Sequence, residues 1–98
     1  MKFEYDPAKS AGNKAKHGID FEEAQALWKD VDRLNIPAAY RGEERHALIG
    51  RIGSRHWTAI FTCRGDACRI ISVRYARKEE IDLYENDEAS DGNFGGGI

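Results

Sequence analysis

The apolar positions of this chain change period twice. Up to about residue 30 they recur at helical spacing, from the mid-thirties to Tyr75 they follow strand spacing, and after Glu79 helical spacing returns. "KFEY" reads as a short first strand. Asp6-Pro7 then opens a helix, with Asp as N-cap and Pro at the first helical position, where its missing N–H costs nothing. Gly18 should end that helix after His17. A second helix starts at once in "DFEEAQALW", where Asp20 and Glu23 have capping-box spacing and Phe21, Ala24, Leu27 and Trp28 form a buried stripe. "RLNIPA", "ERHALIGRI", "HWTAIFTCR" and "ACRIISVRY" read as strands, separated by tight turns at "YRG", "GS" and "GD". Pro37 cannot donate to a ladder, so its strand lies at an edge or ends there. "ARKEEIDLYEN" resumes a helix, with Ile81 and Tyr84 on one side.

The expected architecture is α+β in the order β-α-α-β-β-β-α, with two N-terminal helices packed on an antiparallel sheet. Residues 1–85 form a single domain, and 86–98 are an acidic, glycine-rich tail, flexible in isolation. No internal repeat is visible.

Two-residue loops at Gly53-Ser54 and Gly65-Asp66 pair 46 with 61 and 61 with 70, and strand parity then assigns faces. Glu44, His46, Leu48, Trp57, Ala59, Phe61, Ile70 and Arg74 fall on one face. The other carries Arg45, Thr62, Arg64 and Arg69 at one corner, with Ile49, Thr58, Ile60, Ile71 and Val73 behind them. A bulge would flip part of this assignment. It sets Arg64 and Arg74 on opposite faces.

Charge sharpens that corner. The chain of 98 residues has a formal net charge of −2, which is a cancellation. Residues 1–40 balance at −1, residues 41–78 at +6 and residues 79–98 at −7. A basic middle beside an acidic end suggests a polyanion-binding surface, although the end is equally well a solubilising tail. Nothing approaches the roughly 20 apolar residues of a membrane span, and "MKFEYDPAKS" lacks a secretory apolar core, so the cytoplasm is the default location. Cys63 and Cys68 flank the "RGDA" turn and sit opposite each other. In a reducing compartment they read as small, half-buried thiols rather than as a working disulfide.

An arginine corner suits either holding RNA or stabilising phosphoryl transfer, because guanidinium groups bind phosphate oxygens in pairs. RNA is cleaved without metal when its own 2′-OH attacks the adjacent phosphate, given a base, a cationic stabiliser and an acid. His17, His46, His56 and Glu44 are the acid–base candidates. His17, beside Lys16 at a helix end, equally serves as a cap. No metal triad, nucleophile elbow or phosphate loop is present, and neither a cofactor nor a metal is called for.

"FEYDPAKSAGNKAKHGIDFEEAQALWKD", "EERHALIGRIGSRHWTAIFTCRG" and "RIISVRYARKEEIDLY" together resemble the BrnT family over roughly residues 3–85. Lys16-His17-Gly18, Glu44-Arg45, Phe61-Thr62-x-Arg64-Gly65 and Arg74-x-Ala76 with Glu80 and Tyr84 carry the resemblance. It implies a RelE-type ribonuclease fold and a toxin of a type II toxin–antitoxin module, cleaving RNA without metal to arrest translation and growth. It also implies a BrnA-like ribbon-helix-helix antitoxin, assembled as a heterotetramer that reaches operator DNA only through the antitoxin. Carried onto this chain, it assigns Arg64 and Arg74 to phosphate stabilisation and His17 and Glu44 to acid–base work. Arg45, Arg69, Lys16 and Arg77 are assigned to RNA contact. Two other readings stay open: a non-catalytic subunit of a repressor complex, and an RNA-binding protein without cleavage.

Overall fold

The computed structural model describes residues 1–86, apart from the side chains at 39 and 40. Five strands form one mixed sheet: β1 (Lys2–Glu4), β2 (Leu34–Tyr40), β3 (Glu43–Ile52), β4 (Arg55–Arg64) and β5 (Ala67–Tyr75), in the spatial order β1-β5-β4-β3-β2. Helix α1 (Pro7–His17) and a 3-10 helix (Glu23–Lys29) precede β2, and α2 follows β5 at residues 78–86. The α+β class therefore stands, but the expected order is short by one strand and the sheet is not wholly antiparallel. β1 pairs in parallel with β5, Phe3 opposite Cys68. That pairing joins the two ends of the sheet sequence, where no local pattern reports it. The expected flexible tail lies outside the described residues, except that residue 86 is still helical.

Local chemistry accounts for most boundaries. The Asp6 carboxylate accepts the Ala8 N–H at 2.9 Å, and α1 ends at Gly18 with φ 84°, a left-handed position that suits glycine. Asp20 and Glu23 form the reciprocal box: Glu23 N–H donates to the Asp20 carboxylate at 2.7 Å and Asp20 N–H to that of Glu23 at 3.0 Å. The segment closes as a 3-10 helix because Phe21, Ala24 and Leu27 recur every three residues, which stacks them directly above the sheet. Arg41-Gly42 has φ 49° and 78°, the signature of a type I′ hairpin turn, which extends β2 into a full partner of β3. β2 is an edge strand, as Pro37 requires.

The core lies between the helices and one face of the sheet. Ile19, Phe21, Ala24 and Leu27 pack on Leu48, Trp57, Ala59, Phe61, Cys68, Ile70 and Val73. Trp28 meets Phe61 edge-on at 5.2 Å and Phe3 at 5.0 Å, tying β1 into the same cluster. The Asp30 carboxylate accepts the Arg51 N–H and the Tyr84 hydroxyl, each at 2.8 Å, and so fastens α2 to the end of the 3-10 helix.

β1 covers β5 only at positions 67–69, which leaves the edge of β5 open beyond that point. Asn13 of α1 fills the gap. Its amide donates to the Val73 carbonyl at 2.9 Å and the Ile19 carbonyl at 2.8 Å, and accepts the Val73 N–H at 3.2 Å, all in buried surroundings. An Asn13→Ala chain should lose about 2–4 kcal/mol of stability, since three buried backbone groups lose their partner. Urea unfolding would measure this, and a loss below about 1 kcal/mol would show that water replaces the amide.

Candidate nucleic-acid interface

The face of the sheet away from the core cluster is divided in two. At the β3–β4 turn end it is covered by α2, whose Glu80 and Tyr84 meet Thr58 and His56. At the β4–β5 turn end no described element covers it. There Arg45, Thr62, Arg64 and Arg69 line a shallow depression of about 430 Å³, joined by Lys9 from α1, Glu43 and Ile71. Each turn sets the register of its own hairpin: Gly65-Asp66, with φ 62° at Gly65, puts Thr62 opposite Arg69, and Gly53-Ser54, with φ 62° at Gly53, puts His46 opposite Phe61. The arginine corner expected from parity is therefore present, and Lys9 completes it.

These cations differ in how far they are committed. Arg45 pairs with Glu43, and Arg69 faces Glu4 at 3.8 Å. Arg64 is exposed, and among the described residues it pairs with no carboxylate. Among the described residues, four cations stand against the carboxylates of Glu43 and, at the edge, Glu4, which leaves the depression net positive.

Arg74 reaches the same face by a different route. Ile60 is opposite Ser72 while Phe61 is opposite Ile70, so Ile71 is an extra residue in β5. This bulge inverts the parity beyond it: Val73 turns into the core, and Arg74 lies opposite Thr58. Arg64 and Arg74 thus share a face, but their positions on the ladder are six β4 residues apart, or about 20 Å. Arg74 is also engaged. Its guanidinium donates to both carboxylate oxygens of Glu80, at 2.8 and 2.9 Å. Glu80 accepts in addition the Thr58 hydroxyl at 2.9 Å and the Arg77 N–H at 2.8 Å, which caps α2. Although burial opposes ionisation, these hydrogen bonds hold the Glu80 carboxyl down at about 2.

The acid–base candidates are dispersed. Glu44 alternates with Glu43 and Arg45, so its side chain points away from the depression, while its carbonyl accepts the Thr62 hydroxyl at 2.9 Å. His46 stacks on Phe61 at 5.0 Å on the core side. α1 packs on β5, with Lys9 and Ile71 lining the same depression and Asn13 on Val73; His17 and exposed Lys16 stand in its last turn and do not line the depression. Arg77 is exposed at the start of α2. His56 bonds Glu85 at 2.8 Å against the edge of Tyr84, a pairing with no signature in spacing. Lys9 and Glu43 line the depression in addition to the residues expected there. Alternation would have found Glu43, while Lys9 depends on how α1 docks. Among the described residues, no group of three or more His, Cys, Asp or Glu could hold a metal ion.

A family model described as the ribonuclease toxin BrnT of type II toxin–antitoxin systems matches residues 5–80. The matched span contains Lys9, the whole arginine corner and the Arg74–Glu80 pair, and it ends before Tyr84 and Glu85. No curated protein matches the chain.

Proposed function

The chain belongs to the BrnT family of ribonuclease toxins of type II toxin–antitoxin systems, and from that premise we propose that the Lys9–Arg45–Arg64–Arg69 depression is where it holds and cleaves RNA. The observation carrying this reading is an exposed Arg64 that pairs with no carboxylate among the described residues, set among further cations. A phosphodiester placed there gains paired hydrogen bonds, and the pentacoordinate phosphate formed by 2′-OH attack gains more, because it carries more charge. Arg45, Arg69 and Lys9 hold the backbone on either side. Arg74 acts from the other end of the face by positioning Glu80 and α2, with Arg77 beside it. His17 and Lys16 stand at the C-terminal end of α1, outside the lining of the depression.

Glu43 is the carboxylate inside the depression, so it is the better base for the 2′-OH than Glu44, one residue away on the opposite face. No step in this scheme calls on a metal. On this reading the fold is of the RelE type and the protein works in the cytoplasm. A BrnA-like ribbon-helix-helix antitoxin neutralises it in a heterotetramer, which contacts operator DNA through the antitoxin. No helix of the described residues is long and apolar enough to cross a membrane.

The test is incubation of the purified protein with total RNA in EDTA, beside Glu43→Gln and Glu44→Gln chains. Cleavage by the wild type should persist in EDTA. It should fall about 10²-fold or more in Glu43→Gln and change little in Glu44→Gln. Equal losses in both chains would remove Glu43 as the base. Intact RNA together with confirmed antitoxin binding would favour the non-catalytic repressor subunit instead.

A further inference from the structure

We propose that Cys63 and Cys68 form a reversible disulfide that staples the hairpin carrying Arg64 and Arg69. The two residues are direct partners on β4 and β5, one pair beyond Arg64 and Ala67, which flank the Gly65-Asp66 loop. Gly65 has φ 62° and Asp66 does not have positive φ, which describes a type II′ turn. In a two-residue hairpin the flanking pair exchanges both ladder hydrogen bonds, so the next pair, Cys63 and Cys68, exchanges none. Such pairs bring Cα atoms to about 4.5 Å, inside the disulfide range of about 4.4–6.8 Å. Both residues line the same groove beside Trp28 and Phe61, so their side chains point to one side of the sheet. Both thiols are free in the structure, Cys63 exposed and Cys68 buried.

The asymmetry orders the chemistry. Burial, with Cys63 alongside, pushes the Cys68 thiol up to about 12, so Cys63 reacts first. With glutathione disulfide as oxidant, the Cys63 thiolate attacks one glutathione sulfur and expels glutathione, which leaves a mixed disulfide. The Cys68 thiolate then attacks the Cys63 sulfur and expels the second glutathione. Two protons and two electrons leave the protein, and one glutathione disulfide becomes two glutathiones. Because side chains alternate, the new bond lies on the core side, while Arg64 and Arg69 remain on the open face. The crosslink therefore steadies the arginine corner without occupying it. This inference does not depend on the ribonuclease reading.

The full-length protein would be treated with glutathione disulfide at pH 8 and followed by intact mass, beside Cys63→Ala and Cys68→Ala chains. The wild type should pass through a species heavier by one glutathione and end two hydrogens lighter than the reduced chain. Cys68→Ala should stop at the mixed disulfide, and Cys63→Ala should stay unmodified while folded. The oxidised wild type should unfold on the order of 10 °C higher than the reduced form, reversed by dithiothreitol. A wild type that stops at the mixed disulfide, or an oxidised form that melts lower, would overturn the proposal.

Discussion

Arg64→Ala should abolish RNA cleavage, with a loss of about 10²–10³-fold, while leaving the melting curve of the protein unchanged. The second half of that expectation follows from position. Arg64 is exposed at the end of β4 and makes no ion pair among the described residues, so its removal strands no partner. The first half follows from the depression. Arg45 and Arg69 each have a carboxylate nearby that competes for their charge, whereas Arg64 has none among the described residues. Growth arrest on induction and RNA cleavage in vitro give two independent readouts. A soluble Arg64→Ala chain with full toxicity would move the reaction away from this corner.

Glu80→Gln should destabilise the fold by roughly 3 kcal/mol at neutral pH, the equivalent of a carboxyl depressed from 4.5 to about 2. The sign is set by the direction of the shift. The folded chain holds Glu80 ionised more readily than the unfolded chain does, so this stability is complete above pH 4.5 and is lost as pH falls towards 2. The gap between wild type and Glu80→Gln should therefore close over that interval, which urea titrations at several pH values would show. A gap independent of pH would mean that the hydrogen bonds to Thr58 and Arg77, and not the charge, carry the effect. Arg74→Ala breaks the same half-buried pair from the other side and should cost a similar amount. Loss of toxicity in Arg74→Ala should thus come with a lowered melting temperature, and in Arg64→Ala without one. That contrast separates a positioning arginine from one that meets phosphate.

Which features were legible beforehand depends on how local their cause is. The caps at Asp6, Gly18, Asp20 and Glu23 were legible because each is a hydrogen bond or a dihedral preference within a few residues. Pro37 at an edge was legible because its missing N–H is a property of the residue alone. Arg45, Arg64 and Arg69 converge as parity requires, since the Gly53-Ser54 and Gly65-Asp66 turns each set the register of their own hairpin. Glu44 is an acid–base candidate by residue type alone, whereas alternation from Arg45 puts Glu43, and not Glu44, on the arginine face.

The sequence by itself determined the helix caps, the three tight turns and the arginine corner, all products of interactions between near neighbours. Tertiary structure decided the rest: β1 beside β5, Lys9 beside Arg69, Asp30 bound to Tyr84, and the face on which Arg74 stands. The last is the clearest case. One extra residue at Ile71 inverts every side chain after it, so that Val73 is buried and Arg74 meets Thr58. Strand periodicity tolerates either parity there. The choice is made by Asn13, which holds the Val73 backbone from 60 residues away, and by Glu80, which receives Arg74 from α2. Contacts of that range are set only when the chain closes on itself.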